Sequence, residues 1–490
     1  MKKRFTTIAA LGLAAMVSLT GCMNSTVQKN AEESNKSEEA GQENSQGSSG
    51  SEGEGTYTDI ILWDGMTDGD GNVLMQELAD GFAAEHGIKV ERVVMKMEDL
   101  RTTIKAAINS GEGPDVFSYE IGAGYLGVLA KSGLAYDLTD YAKDNGWYDL
   151  FMDNALSSCT FDEKLYGVGN ELEALGVFYN KSTFEKYDLK EPETYEEFEE
   201  ICKTLKEKGE TPIMVDDLDQ WPGYHYESLW TNAFAGCDTM NDILALKAEF
   251  NQESTAEGLD HLYEIVTNGW TIDSPNAMAH DDARKMFMSG KVAMYPTGTW
   301  EVSTFGSKEE GLGDDCGFFF LPAPEGRETS GVFGLGGSFV VNAKSDKTFT
   351  AIKFIEYMFN QENVQKWYEA SYMPATTNAD IDSYEISSLF MDWADSALNS
   401  PKQGNNLDVL MPTKVNEATG NYIQELLAGK KTGMECMEDK QSALSGVDAS
   451  YMEVAKLEGA NPVQTFVYVT MPLLKNTFTL LALNSLIGSF

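Results

Sequence analysis

Between Asp59 and Phe117 two residue periodicities alternate, and that alternation leaves few architectures open. Ile60-Ile61-Leu62-Trp63 is a short, continuous apolar run, the pattern of a buried strand. Leu74, Leu78 and Phe82 then recur every fourth residue, one stripe of a helix, which Gly87 stops. Ile88 to Val94 alternates as a second strand. Leu100, Ile104 and Ile108 mark a helix from about Glu98 to Asn109, closed by Gly111, Gly113 and Pro114, and Asp115-Val116-Phe117 opens a third strand. Strand, helix, strand, helix, strand requires long crossovers, so the strands should lie parallel with helices on their faces.

The pattern resumes after Tyr179. Thr194 with Glu197 forms a capping box that opens a helix through Phe198, Ile201 and Leu205. Helical spacing dominates to about Ser289, strands return at Phe318–Leu321 and Phe339–Val341, and helices return at Ala351–Phe359 and Ile423–Ala428. No internal repeat of about 20 to 50 residues is visible. A chain of 490 residues can hold two or three such cores.

The first residues speak to compartment. Lys2, Lys3 and Arg4 precede an apolar run, Ile8 to Leu19, shorter than the roughly 20 residues a membrane span needs. The run ends in Leu19-Thr20-Gly21-Cys22, which resembles a bacterial lipobox, with the Cys22 thiol as the atom that would carry lipid. From Met23 to about Thr56 the chain is Ser, Glu, Gly, Asn and Gln, too polar to offset its ordering entropy, and should be a flexible tether. The remaining cysteines, Cys159, Cys202, Cys237, Cys316 and Cys436, are irregularly spaced without a Cys-x-x-Cys, so buried apolar residues are expected, with neither disulfides nor zinc. A net charge of −42 excludes nucleic acid and charge-driven binding to anionic lipid.

Catalytic and metal motifs are weak. Asp68-Gly69-Asp70-Gly71-Asn72 begins like a calcium loop, but Val73 and Ala79 stand where Gly and a bidentate Glu belong. The expectation is a solvated loop that caps the next helix. Gly336-Gly337-Ser338-Phe339 is no nucleophile elbow, and His86, His225, His261 and His280 form no His-Glu-x-x-His. A glycosidase carboxylate pair stays open, because separation cannot be read from sequence. A sugar binder would need flat aromatic walls beside planar polar groups. Trp221, Tyr224, Tyr226 and Trp230 cluster, and Trp300 follows Gly298, but residue type alone leaves each as core or wall.

Several segments in consistent order resemble the family 1 extracellular solute-binding proteins, over about Asp59 to Lys440. They are Phe82-Ala83-Ala84-Glu85-His86-Gly87-Ile88-Lys89-Val90, Ser110-Gly111-Glu112-Gly113-Pro114-Asp115-Val116-Phe117, Leu165-Tyr166-Gly167-Val168 with Phe178-Tyr179-Asn180-Lys181, and Gly290-Lys291-Val292-Ala293-Met294 with Gly298-Thr299-Trp300. Gly169 stands where the crossing between lobes usually has Pro. The resemblance implies a two-lobed α/β fold of the type II periplasmic-binding class, hinged, closing on a sugar without chemistry. It implies Glu173 as a carboxylate reaching ligand hydroxyls, Trp300 as the stacking wall, and Tyr226 as an aromatic of the second lobe, with Trp230 beside it. It also puts Asp64, Thr67 and Asp68 in a loop facing the cleft, and Glu120 on the same rim. No catalytic residue, metal or cofactor is expected.

The expected order is a lipoprotein signal peptide (1–22), a disordered linker (23–56) and a solute-binding domain (57–440). Its first lobe would comprise about 57–172 and 327–364, its second about 176–324 and 368–440. The tail is anomalous. Glu453, Ala455, Gly459 and Val469-Thr470-Met471-Pro472 have the spacing of the Glu-Ala-Ala motif of ABC sugar permeases, and an apolar run ends at Phe490. Residues 441–490 are therefore expected to be a permease-like fragment with a partial transmembrane helix. The implied partners are a carbohydrate, the permease subunits and through them an ATPase, and a membrane reached by the N-terminal lipid, with the protein a monomer. The competing readings are a secreted carbohydrate-active enzyme and, on the tail alone, a permease subunit.

Overall fold

A computed structural model describes residues 55–244, 247–378, 386–400 and 402–457. Cys22, the linker and the tail beyond Leu457 lie outside the described residues. Two sheets carry two lobes. In the first, β1 (Ile60–Asp64) pairs in parallel with β2 (Val90–Val94) and β3 (Val116–Tyr119), as the alternating periodicities require. A short hairpin, β4 (Thr160–Phe161) and β5 (Lys164–Leu165), leads to β6 (Val168–Gly169). The sheet is then completed by returning strands, in the order β2-β1-β3-β11-β6, where β11 (Ser338–Val341) runs antiparallel to both neighbours. It is thus mixed where a parallel sheet was expected.

The second sheet is built on β7 (Leu172–Asn180), a nine-residue strand buried along most of its length. It pairs antiparallel with β8 (Met294–Gly298), β9 (Cys316–Phe319) and β10 (Ser330–Leu335), and β12 (Lys402–Asn405) adds to β10 in parallel. Because β10 belongs to this sheet, the chain returns to the first lobe only after Leu335.

Local sequence explains the elements. Leu100, Ile104 and Ile108 are all buried on helix Met97–Ser110, each contributing about 1.5–3 kcal/mol of hydrophobic stabilisation. Gly87 and Gly111 end their helices in the left-handed conformation that suits glycine. Thr194 Oγ1 accepts from the Glu197 amide at 3.3 Å, but the Glu197 carboxylate accepts from the Glu193 amide, so half of the expected capping box forms. Helix Trp221–Ala235 is almost wholly buried in the second lobe, and its buried polar residues Glu227, Ser228, Thr231 and Asn232 are each hydrogen-bonded. The five cysteines from Cys159 to Cys436 are free and buried.

Helix Gly433–Leu457 crosses the boundary expected at residue 441. Lys440, fully buried, pairs with Glu227, and the Gln441 side chain accepts from the Phe250 amide at 2.8 Å. Ala443 and Leu444 pack on the second lobe. Among the described residues no helix is long and apolar enough to cross a membrane.

Candidate functional site

Three backbone segments pass side by side between the lobes. Asn170 and Glu171 form the first, Gly336 and Gly337 the second, and Met373–Ala375 the third. The Asn170 amide donates to the Gly337 carbonyl (3.0 Å), and Asn170 Oδ1 accepts from the Gly337 amide (2.8 Å). The Ala375 amide donates to the Asn170 carbonyl, and that of Leu172 to the Met373 carbonyl. These cross-bonds fix the floor of the cleft.

Two carboxylates rise from that floor. Glu171 and Glu173, two residues apart, point to the same side, over Gly336. A methyl built on Gly336 would lie 2.1 Å from Glu173 Oε1 and 3.0 Å from Glu171 Oε1. Gly336 is thus a close-approach glycine. Burial pushes the Glu171 carboxyl up to about 8, and burial with the charges of Glu171 and Asp408 raises Glu173 well above the usual range. On the first lobe's rim, Glu120 faces Arg101 Nε at 3.2 Å, but burial outweighs the guanidinium and holds its carboxyl at about 7. Glu120 Oε2 has no hydrogen-bond partner among the described residues. Asp408 meets His225 Nε2 at 3.3 Å from the second lobe.

The aromatic residues adjoin the strand that carries Glu173. Trp300 folds back over its own turn, with its Cζ3 only 1.8 Å from where a Gly298 methyl would sit, so the turn needs glycine. Thr299 Oγ1 accepts from the Ala174 amide at 3.0 Å, which ties this turn to the strand carrying Glu173. His225 and Trp221 lie 5.0 and 6.2 Å from the Trp300 ring, both inclined to it. A crevice of about 310 Å³ opens between the lobes, lined by Arg101, Tyr119 and Tyr125 on one side and Tyr224, Thr413 and Asn416 on the other. It offers flat rings, hydroxyls and an amide within one space, a surface suited to a polyhydroxylated ring.

The residues expected from sequence divide. Glu120 and Glu173 both feel the charge of Asp408, and the half-buried Trp300 lies beside His225, which pairs with Asp408. Asp64 is not available there: it is buried, and Arg92 grips both of its oxygens at 2.6 and 2.8 Å while the Met66 amide donates to it. Arg92 also donates to the Met66 carbonyl and to Asn72, so this pair shapes the 64–72 loop. Thr67 is exposed on that loop. Asp68 does not cap the following helix with its side chain; it pairs with Arg284 of the second lobe at 3.0 Å. Tyr226 and Trp230 are interior to the second lobe, because helix Trp221–Ala235 turns them inward. The Tyr226 hydroxyl donates to Asp216 (2.7 Å) and Trp230 Nε1 to the Tyr195 hydroxyl (3.1 Å). Glu171, Asp408, His225 and Tyr125 were not singled out from sequence. Glu171 had a signal in its Glu-Leu-Glu spacing; Asp408 and His225 meet across 183 residues and had none.

Comparison with known proteins places the fold. The chain belongs to the bacterial extracellular solute-binding proteins, whose family pattern matches residues 77–394, more than half its length. It is similar to a multiple sugar-binding protein of Streptococcus mutans, 25% identical over 299 residues, 58% of this chain and 68% of that one. A galactooligosaccharide-binding protein of Bacillus subtilis is 25% identical over 326 residues, 64% and 71% of the two chains. Among solved structures, a protein from work on xylan utilisation by Caldanaerobius polysaccharolyticus superposes with a TM-score of 0.71 at 23% identity, covering 78% of this chain and 99% of that one. A chitin oligosaccharide binding protein gives 0.71 at 21%, covering 80% and 99%. The fold is that of type II periplasmic sugar-binding proteins. The family acts on the extracytoplasmic side, and two relatives in Pyrococcus horikoshii are described as ABC transporter extracellular-binding proteins.

Proposed function

We propose that this protein captures a neutral sugar or oligosaccharide between its lobes and delivers it, closed, to an ABC permease. The observation that supports the reading is the grouping around Asp408: Glu120, Glu173, Tyr125 and Tyr224 all feel its charge, and His225 pairs with it and packs on Trp300. Carboxylates accept hydrogen bonds from sugar hydroxyls, and an indole face covers the apolar face of the ring. A ligand that touches both lobes favours the closed state by its differential affinity, and the permease reads that state. Cys22 carries the lipid that holds the protein at the membrane, and the tail that carries Glu453, Ala455, Gly459 and Pro472 is a permease-like segment.

The test is a thermal-shift and calorimetric panel of raffinose, galactooligosaccharides, xylooligosaccharides and chitooligosaccharides, with the sugars recovered and analysed afterwards. Saturable binding with the sugar recovered intact supports the reading. Release of shorter sugars would return the glycosidase alternative, with Glu171 and Glu173 as its carboxylates. No binding to any member would refute the sugar assignment for this set.

A further inference from the structure

Beyond the cleft's centre, the lobes also meet along one ionic edge. Lys96 Nζ, on the first lobe, lies 2.5 Å from Asp281 on the second. Asp68 Oδ2 lies 3.0 Å from Arg284 Nη1, and the Asp70 amide donates to Ser303 Oγ at 3.1 Å. Gly69, in a left-handed conformation, lets the backbone approach: a methyl there would stand 3.1 Å from Ser303 Oγ. Gly71 instead lies beneath Tyr372, which packs on the first lobe's own core and whose hydroxyl would be 2.4 Å from a methyl. The Asp-Gly-Asp-Gly run thus supplies a carboxylate and an amide to the opposite lobe on backbone thin enough to reach it.

Arg284 is held from behind before it meets Asp68. Its Nε lies 2.9 Å from Glu301 Oε2, and its Nη2 donates to Thr304 Oγ1 at 3.0 Å. Glu301 is itself buried and held by His280 Nε2 at 3.0 Å, and the His280 ring packs edge-on against Trp221 at 4.4 Å. A surface arginine usually loses side-chain entropy on pairing, which cancels most of the gain. Arg284 is fixed within its own lobe, so closing onto Asp68 orders little more.

We propose that Asp68–Arg284 and Lys96–Asp281 form an ionic latch, with Arg284 as its positioning residue, that sets the closed population of the lobes and thereby the apparent affinity for a neutral ligand. The inference rests on the sugar-binding reading only for its affinity arm. Apparent affinity scales with the fraction of molecules already in the competent state, so loosening the latch weakens binding without touching the sugar.

The test uses the intact chain and the tightest panel sugar. Asp68→Asn combined with Lys96→Met should weaken binding by about 3- to 10-fold, the sum of two partly exposed pairs. Raising salt from about 50 to 500 mM should weaken wild-type binding, because it screens the latch, and leave the double variant flat, because the sugar carries no charge. With Lys96→Met kept, Asp68→Glu in place of Asp68→Asn should recover the share of the loss that the Asp68–Arg284 pair carries. Ligand-free small-angle scattering should show a larger radius of gyration for the double variant, an arm that needs no sugar. Equal affinity, equal salt slope and equal radius in variant and wild type would overturn the latch. A radius change with no sugar bound by either protein would keep the latch and remove the sugar reading.

Discussion

Replacing Gly336 by Ala separates a hinge that merely folds from a hinge that aims a ligand-binding group. The added methyl would lie 2.1 Å from Glu173 Oε1, whereas real contacts of this kind begin near 3.0 Å, so the carboxylate must retreat by about 0.9 Å (3.0 minus 2.1). Gly336 is not in a left-handed conformation, so alanine can take its backbone angles. Rotating Glu173 off its preferred rotamer costs about 0.5–1.5 kcal/mol, and the stiffer unfolded chain returns about 0.4–1 kcal/mol. Net stability should therefore change by less than about 1 kcal/mol. Affinity should fall as well, because displacing a carboxyl that burial holds protonated forfeits a neutral hydrogen bond worth about 0.5–1.5 kcal/mol, roughly two- to ten-fold. Thermal melting and titration calorimetry on the same preparation read both. Wild-type affinity with a normal melt would show that Glu173 is not aimed at the ligand. A collapse of the fold would show that its carboxylate is a structural prop.

Other outcomes follow from the same geometry. Trp300→Ala should weaken the tightest panel sugar by about 1–3 kcal/mol in calorimetry while the melt moves less than a core Trp→Ala, which costs about 3–5 kcal/mol. Arg92→Met strands the buried Asp64 and should cost about 3–5 kcal/mol in denaturant unfolding; a loss under 1 kcal/mol would contradict the loop frame. Stability should decline from pH 5 to pH 9: carboxyls held up at about 7 (Glu120) and 8 (Glu171) impose their penalty above their unfolded value of 4.5. The stabilising charge on His280 is complete below 6.5 and is lost as pH passes about 9, in the same direction. Glu171→Gln should flatten the melting profile between pH 5 and 8, and an unchanged profile would remove Glu171 from this account. Ending the chain at Lys440 removes the Gln441 bond and the Ala443 and Leu444 packing, and should lower the melting temperature.

Local chemistry made much of the fold legible. The first lobe's strand-helix alternation and its inward Leu100, Ile104 and Ile108 are short-range patterns, and the structure keeps them. What lay hidden was long-range. The antiparallel return of β11 has no signature in its own residues, and β12 is a polar Lys-Gln-Gly-Asn stretch that only pairing makes a strand. The cleft divides in the same way. Glu173 and Trp300 are proposed from resemblance, because they sit beside crossings with recognisable neighbours. Asp64 misled because an Asp after a strand looks alike whether it faces a ligand or an arginine, and Arg92 is 28 residues away. Tyr226 and Trp230 misled because aromatic spacing on a helix does not show which face is covered. Asp68, expected to face the cleft, pairs with Arg284, 216 residues distant.

The central claim is that a sugar lies between the lobes, against Trp300 and within reach of Glu173 and Glu120. A crystal structure of the protein with the tightest panel sugar addresses it most directly. The account predicts a ring stacked on the Trp300 indole, with hydroxyls donating to Glu173 and Glu120 and contacts to both lobes. A sugar bound elsewhere, or one touching a single lobe and leaving these carboxylates without contact, would contradict it.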